Sequence, residues 1–515
     1  MLETTLGELF DKAVSQYSDK IAIKDPNRSI TYASLGEEVN QCSNALLHMG
    51  IEPGDRIALW TKNCIEYVVC EFAISKIGAV RVPLNTFLSE QEVQYRLEDS
   101  EVKAVICEYE YVNSVINIVE QISINPLVIH LGDSGDSSLR SLQNLSTVEK
   151  PAIEVKCDDL AAIMYTGGTT GRSKGVMHTH KSTISLMYSE IVEFELERGV
   201  TMLHVAPLPH AAGFLILPGL LRGGTHIIDY GFNAESFCKK VEQERVTFAF
   251  LVPTMIYNLL DFPDLHQYNL SSLKTLFYGA APMAPARIEQ ALKTWGPILL
   301  QGYSQMEVAN QTTILTKADH QIGPEEEPKR LASCGRPVIM SKVKIVDEKG
   351  NEVPQGEFGE IITRGPHLMQ GYWRKEEETQ KTIRNGWLYT GDMAYQDEEG
   401  YFYMVDRKKD MVISGGFNIY TTVVEKVLFE HPSVRQATVI GVPDENWGEA
   451  VKAVVVTDSL ISEEELLSFC KSRLAKYEVP KSIDFIDSLP VTAYGKIDKK
   501  ALRAPYWANQ ARQVN

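Results

Sequence analysis

The stretch Tyr165-Thr166-Gly167-Gly168-Thr169-Thr170-Gly171-Arg172-Ser173-Lys174-Gly175 puts glycines, hydroxyls and one lysine side by side. Glycines let successive backbone N–H groups turn toward an anion, the hydroxyls of Thr166, Thr169 and Thr170 can donate further hydrogen bonds, and Lys174 adds a point charge. That combination suits a polyphosphate. A glycine-rich surface turn would need neither the hydroxyls nor the lysine, and their presence tips the reading toward phosphate. The order Gly-x-x-x-x-Gly-Lys-[Ser/Thr] is absent, so this is not a Walker loop. The elements that must hold the loop are an apolar run over 160–164, which predicts a buried strand, and residues 181–190, which predict a helix. The loop is therefore expected where strand gives way to helix.

Composition narrows the class. A chain of 515 residues exceeds one ordinary core and implies two or more domains. With 44% hydrophobic and 23% charged residues it is globular. A formal net charge of −17 argues against a nucleic-acid partner, which would need a clustered basic face, but not against a nucleotide held by a local loop. The eight cysteines are scattered, with no C-x-x-C pair, as expected of buried thiols in a reducing compartment. The start, Met1-Leu2-Glu3-Thr4-Thr5-Leu6-Gly7-Glu8, lacks the basic-then-apolar order of a signal peptide. The one long apolar region, 205–221, is broken by Pro207, Pro209, His210 and Pro218 and reads as core, with no transmembrane segment expected. A cytoplasmic enzyme or binding protein is the expectation, and a membrane-associated substrate stays open.

From residue 35 to 297 short apolar runs alternate with amphipathic ones. Strands are predicted over 56–60, 103–107, 226–229, 248–252 and 275–278, and helices over 65–77, 234–244 and 284–295, with Ser89 and Glu92 as a capping box for another. This alternation predicts an α/β fold whose mostly parallel sheets are covered by helices on both faces. After Gly335-Arg336-Pro337 come short strands at 343–346 and 359–362 around the turn Asp347-Glu348-Lys349-Gly350-Asn351, a small β subdomain. A charged break at Asp406-Arg407-Lys408-Lys409-Asp410 precedes a small α+β region. The expected division is 1–406 and 407–515.

Further residues join the loop in a fixed order: Pro253-Thr254, Gly279-Ala280-Ala281-Pro282, Gln301-Gly302-Tyr303-Ser304-Gln305-Met306-Glu307, Tyr389-Thr390-Gly391-Asp392, Asp406-Arg407-Lys408-Lys409-Asp410, and Pro490-Val491-Thr492-Ala493-Tyr494-Gly495-Lys496-Ile497. This set, spanning nearly the whole chain, resembles the adenylate-forming superfamily in its acyl-CoA synthetase branch. The resemblance implies an ATP- and Mg²⁺-dependent enzyme that joins a carboxylic acid to AMP and transfers the acyl group to CoA. It implies that Thr166, Gly167, Gly168, Thr169, Thr170, Gly171 and Lys174 hold the phosphates and that Lys496 stabilises the charge developing at the reacting phosphate. It further implies that Glu307 associates with Mg²⁺, Tyr303 stacks on adenine beside Gln301, Gly302, Gly279, Ala280 and Ala281, Asp392 holds the ribose hydroxyls, and Arg407 makes a second nucleotide contact.

Four positions depart from the superfamily's usual pattern. Gly167 stands where serine is usual, Ser173 where proline is, Met306 where threonine is, and Val423 where the first of two glutamates is. Gly167 should keep the backbone cradle while losing a hydroxyl, and Met306 loses a hydroxyl that serves the ATP and metal site.

Members of the superfamily run both half-reactions by rotating a small mobile C-terminal domain. Lys409 matches the hinge, and Ser414-Gly415-Gly416-Phe417-Asn418 matches the pantetheine channel, where Gly415 and Gly416 let the arm pass close to the backbone. Trp447 is placed near the CoA nucleotide. The acyl pocket is expected from residues 208–214, 252–256 and the surroundings of Tyr278 and Tyr303, with His210 at the carboxylate and Ala211, Ala212 and Gly213 leaving room. The segment Pro207-Leu208-Pro209-His210 offers no acid for an ammonium, which disfavours α-amino acids. A fatty and an aromatic acid both remain open. So do a carrier-protein or amine acceptor and a non-catalytic scaffold. Gly167 and Met306 motivate the scaffold reading, and the retained Lys496, Glu307 and Asp392 argue against it. The resemblance also allows a homodimer.

Overall fold

The computed structural model describes residues 3–166, 172–309, 311–321, 328–407, 410–415, 417–444, 447–491 and 497–507. Two compact units emerge, one from Met1–Thr166, Lys174–Val343 and Thr363–Leu388, the other chiefly from Lys344–Ile362 and Tyr389–Asn515.

The first unit holds two sheets. One has nine strands in the order Arg336–Pro337, Thr313–Leu315, Leu299–Tyr303, Thr275–Gly279, Phe248–Leu251, Thr201–His204, Thr225–Ile228, Ile21–Lys24, Ser29–Thr31. From Leu299–Tyr303 to Ile21–Lys24 the neighbours are parallel, and antiparallel strands close both edges. The other has seven strands in the order Gly371–Tyr372, Gly175–Thr179, Leu160–Tyr165, Val80–Leu84, Arg56–Trp60, Ala104–Cys107, Leu127–His130. Parallel pairing also dominates there, as the alternation predicts. Strand faces follow period two: Leu276 and Tyr278 enter one core cluster, while Phe277 between them enters the larger one with Phe194 and Phe250.

The helix Ile65–Lys76 is buried on every side, Glu66 alone excepted. A helix apolar all round belongs in an interior, and its one cation, Lys76, is neutralised by Asp11 at 2.6 Å. The helix Leu6–Gln16 starts at a true capping box, Thr5 with Glu8. At Ser89 half of the predicted box is present: its hydroxyl accepts from Glu92 N–H at 3.3 Å, while the Glu92 carboxylate pairs with Arg96. All cysteines are free and buried except Cys157, which is half-buried.

The predicted short strands after residue 335 form. A five-stranded sheet runs Lys342–Val346, Gly359–Arg364, Trp387–Gln396, Ile383–Arg384, with Phe402–Arg407 paired to Trp387–Gln396. Within the second unit lies a further sheet of Phe417–Ile419, Val412–Ser414, Gly448–Thr457 and Val434–Asp444, with Ser482–Phe485 beside Gly448–Thr457. The helices Thr421–Phe429 and Glu463–Lys471 contribute Val424, Leu428, Leu466 and Cys470 to its core. Among the described residues no helix is long and apolar enough to cross a membrane.

Candidate active site

The phosphate-loop residues Gly167, Gly168, Thr169, Thr170 and Gly171 lie outside the described residues, but both flanks are defined. Leu160–Tyr165 and Gly175–Thr179 pair antiparallel, with Tyr165 opposite Gly175. The loop is thus the tip of a hairpin, and the helix His180–Glu193 begins only after the second strand, which corrects the expected strand-to-helix junction. The hairpin closes because Gly175 has no side chain: a Cβ there would stand 2.6 Å from Ile163 Cγ2. Thr166 N–H donates to the Lys174 carbonyl at 3.0 Å across the neck.

Lys174 leads from this neck to the other charged group of the site. Its ammonium pairs with Glu378 at 2.7 Å and lies 4.8 Å from the centre of the Tyr372 ring. The hydroxyl of Tyr372 donates to Glu307 Oε1 at 2.8 Å. Burial, with the Glu307 charge behind it, pushes that hydroxyl far above its ordinary range, so it remains a donor. The Glu307 backbone is fixed as well: Met369 N–H donates to its carbonyl at 2.8 Å. Next to it, His178 Nε2–H donates to the Met306 carbonyl at 2.8 Å, and burial pushes His178 down to about 4, so the imidazole is neutral. One tyrosine therefore joins the loop's cation to the predicted metal carboxylate. Tyr372, Glu378 and His178 were not marked by any sequence motif considered above.

The turn expected to meet adenine follows two parallel strands in tight register, Gly279 opposite Gly302. A Cβ on Gly279 would stand 2.6 Å from the Gly302 carbonyl oxygen, so neither strand tolerates a side chain at the crossing. Ala280 follows in the left-handed region at φ +68°, an unusual place for alanine. Ala280 and Ala281 are exposed, Gln301 is buried, and Tyr303 is half-buried at the strand end. Tyr278 is different. It is wholly buried in a core cluster, with its hydroxyl 2.9 Å from His320 Nε2 and 3.3 Å from Gln301 Oε1.

His210 is half-buried and heads the turn Ala211–Leu215. The expected room beside it is smaller than its residue types suggest. Ala212 is core, and the space that a Gly213 side chain would take holds the Leu208 carbonyl oxygen. The segment is pinned by Asn63, whose Oδ1 accepts from Leu208 N–H at 2.9 Å and whose amide donates to the Ala206 carbonyl at 3.0 Å. Sequence reasoning passed over Asn63, because its partners lie more than a hundred residues away.

In the second unit Asp392 and Arg407 face each other across antiparallel strands, Nε to Oδ1 3.1 Å, with Asp392 2% exposed and the guanidinium half-exposed. The turn ahead of Asp392 needs Gly391 at φ +69°, and Gly391 N–H donates to Glu360 at 2.9 Å. Asp406, adjacent to Arg407, is buried and pushed up to about 6 by that burial. Gly415 lies in the left-handed region at φ +58° and donates its N–H to the Trp447 carbonyl at 2.9 Å, with the Trp447 ring against its α-carbon. Trp447 is 50% exposed, Lys481 Nζ lies 5.9 Å from its ring centre, and the exposed Phe417 and Tyr477 rings stack at 4.8 Å. Sequence reasoning marked Phe417 and Trp447 but neither of their partners, Tyr477 and Lys481. Gly416, Lys409 and Lys496 lie outside the described residues.

Residues 10–373 match the family model of the AMP-binding enzymes, and 423–496 match that of their C-terminal domain. The chain belongs to this family. Within it, the chain lies in the acyl-CoA synthetase branch and is an AMP-forming acid–thiol ligase. A feruloyl-CoA synthase from Amycolatopsis is 39% identical, the match covering 94% of this chain and 95% of that protein. The medium/long-chain-fatty-acid–CoA ligase FadD8 of Mycobacterium tuberculosis is 35% identical, over 99% and 91%. Among solved structures, the amide bond synthetase McbA from Marinactinospora thermotolerans is similar at a TM-score of 0.88 and 30% identity, over 97% of this chain and all of that one.

Proposed function

We propose that this chain activates a fatty or aromatic carboxylic acid as acyl-AMP, releasing pyrophosphate, and then passes the acyl group to CoA. The observation that carries the reading is the Lys174, Tyr372 and Glu307 assembly, which sets a cation and a carboxylate at a fixed separation at the neck of a phosphate loop. Among the described residues no three His, Cys, Asp or Glu side chains cluster as a self-sufficient metal site. A single carboxylate is nevertheless what Mg²⁺ commonly takes when phosphate oxygens complete its shell, so Glu307 fits that ion. When bound, Mg²⁺ would offset the negative charge of the phosphates.

The chain's own residues do the rest. The exposed Ala280 and Ala281 backbone would take the adenine edge, Tyr303 its face, and Asp392 the ribose hydroxyls. His210 would meet the carboxylate and Lys496 the reacting phosphate. For the second half-reaction, Gly415 and Gly416 would pass the pantetheine arm, and the Trp447 ring with Lys481 would receive the CoA nucleotide. We place the division at residues 406 and 407, with Lys409 as hinge. The free thiols suit action in the cytoplasm, with fatty acid metabolism one setting. A second reading sends the acyl group to an amine, and the likeness to an amide bond synthetase favours it.

The deciding experiment supplies ATP, Mg²⁺ and a panel of fatty, aromatic and amino acids, with CoA or an amine, and reads products by mass spectrometry. A CoA-dependent thioester supports the first reading; adenylate with amide and no thioester supports the second. Lys496→Ala should lower adenylation by about 100- to 1,000-fold while thioester formation from supplied acyl-adenylate survives. Equal loss of both steps would remove Lys496 from the first.

A further inference from the structure

The helix His180–Glu193 carries a side chain that the reaction so far leaves unused. Glu190 is 2% exposed, and its Oε2 has no hydrogen-bond partner. Gln311 is 1% exposed, and neither its amide nitrogen nor its amide oxygen is hydrogen-bonded. Polar groups buried without partners cost stability, and a fold keeps them where something else is gained.

Packing ties the neighbours of both residues to one apolar cluster. Leu186, one turn before Glu190 on the same helix face, packs with Phe214 and Ala309. Phe214 belongs to the turn that His210 heads, and Ala309 lies two residues before Gln311. Beyond this cluster, Glu193 accepts from Ile339 N–H at 2.7 Å and Val338 N–H donates to the Thr312 carbonyl at 3.2 Å. On the adjoining helix face, Thr183 and Met187 line an internal cavity together with Gly213 and Phe214, so the helix and the His210 turn do not close fully on each other.

We propose that Glu190 and Gln311 form the far end of the acyl pocket and select acids that carry an uncharged hydrogen-bonding group, a hydroxyl above all, remote from the carboxylate. This rests on the reading that the chain activates a carboxylic acid held at His210. Burial holds the Glu190 carboxyl well above the usual range, which favours the protonated form, one that can both donate and accept. The Gln311 amide can do the same. A hydroxyl satisfies both; an alkyl or plain phenyl end satisfies neither.

The test compares matched acids: 3-(4-hydroxyphenyl)propanoate with 3-phenylpropanoate, and a straight-chain ω-hydroxy acid with its parent, by kcat/KM for pyrophosphate release. The hydroxylated member of at least one pair should be favoured by about 10-fold or more, since a site built to hydrogen-bond a hydroxyl discriminates against analogues that lack it. Glu190→Leu should bring that ratio to about 1 without lowering Tm, and Glu190→Gln should preserve it. Gln311→Leu reads the same ratio independently if the first variant fails to fold. Equal use of both members of each pair, or an unchanged ratio in Glu190→Leu, overturns the proposal. Preference for an ω-ammonium acid overturns the uncharged class. No adenylate from any acid overturns the ligase reading and this proposal with it.

Discussion

Replacing Gly415 by valine separates the two half-reactions most cleanly. At φ +58° any side chain costs about 1–2 kcal/mol of backbone strain. The new Cβ would also overlap Cε3 of Trp447 and stand 2.8 Å from Cζ3. The ring is half-exposed, so the relief is a swing into solvent and not an opening of the core, which keeps the stability loss near the strain itself. Stacking of a base on an aromatic ring contributes about 1–3 kcal/mol, so displacing the platform should raise KM for CoA by about 5- to 150-fold. Pyrophosphate release without CoA should stay within about twofold, as none of these residues serves it. The assay follows both half-reactions over a range of CoA concentrations, with tryptophan emission reporting whether the ring has moved. An unchanged KM for CoA with a solvent-exposed Trp447 would refute the platform.

Two more outcomes follow from contacts in the first unit. His178, His180, His320 and His367 are all buried and pushed down to about 4, chiefly by burial. Their folded-state values lie below the unfolded value near 6.5, so the stability they contribute is present above that pH and is lost as pH falls toward 4. Each shift is worth about 3 kcal/mol when complete. Calorimetry should show a steep fall in Tm between about pH 6.5 and 4.5, and a flat profile there would contradict their burial. Glu378→Gln frees the Lys174 ammonium for phosphate. An exposed pair of this kind contributes at most about 1 kcal/mol, so KM for MgATP should fall by no more than about fivefold with kcat unchanged, whereas a rise would make Glu378 part of the nucleotide site.

The alternation of strands and helices was legible because both faces of each sheet are buried and the runs are short. The predicted strand 56–60 and helix 234–244 match Arg56–Trp60 and Ala234–Glu244. The strand Gly175–Thr179 escaped because its glycine, histidine and threonine read as loop. Its burial depends on Ile163 and Tyr165 across the hairpin. At the site, Asp392 and Arg407 were legible as motifs, yet their ion pair depends on strand register. Tyr372 and Glu378 were invisible because their partners, Glu307 and Lys174, are 65 and 204 residues away. Glu190 shows the same limit: the helix pattern around it was clear, but a glutamate at its end reads as solvent-facing, and only packing reveals it as buried.

Tyr372 belongs to a strand of two residues, Gly371–Tyr372, that pairs with Gly175–Thr179 and closes one edge of the seven-stranded sheet. Short edge strands are a common guard against sheets joining edge to edge between molecules. The residue that carries Glu307 thus stands in the guard. Damage to this pairing would strip Gly175–Thr179 of its cover at the same moment as it released Glu307, the carboxylate proposed to meet Mg²⁺. On the proposed role of Glu307, solubility and nucleotide chemistry share one short ladder, so a variant that clumps and a variant that loses ATP use can have a single cause.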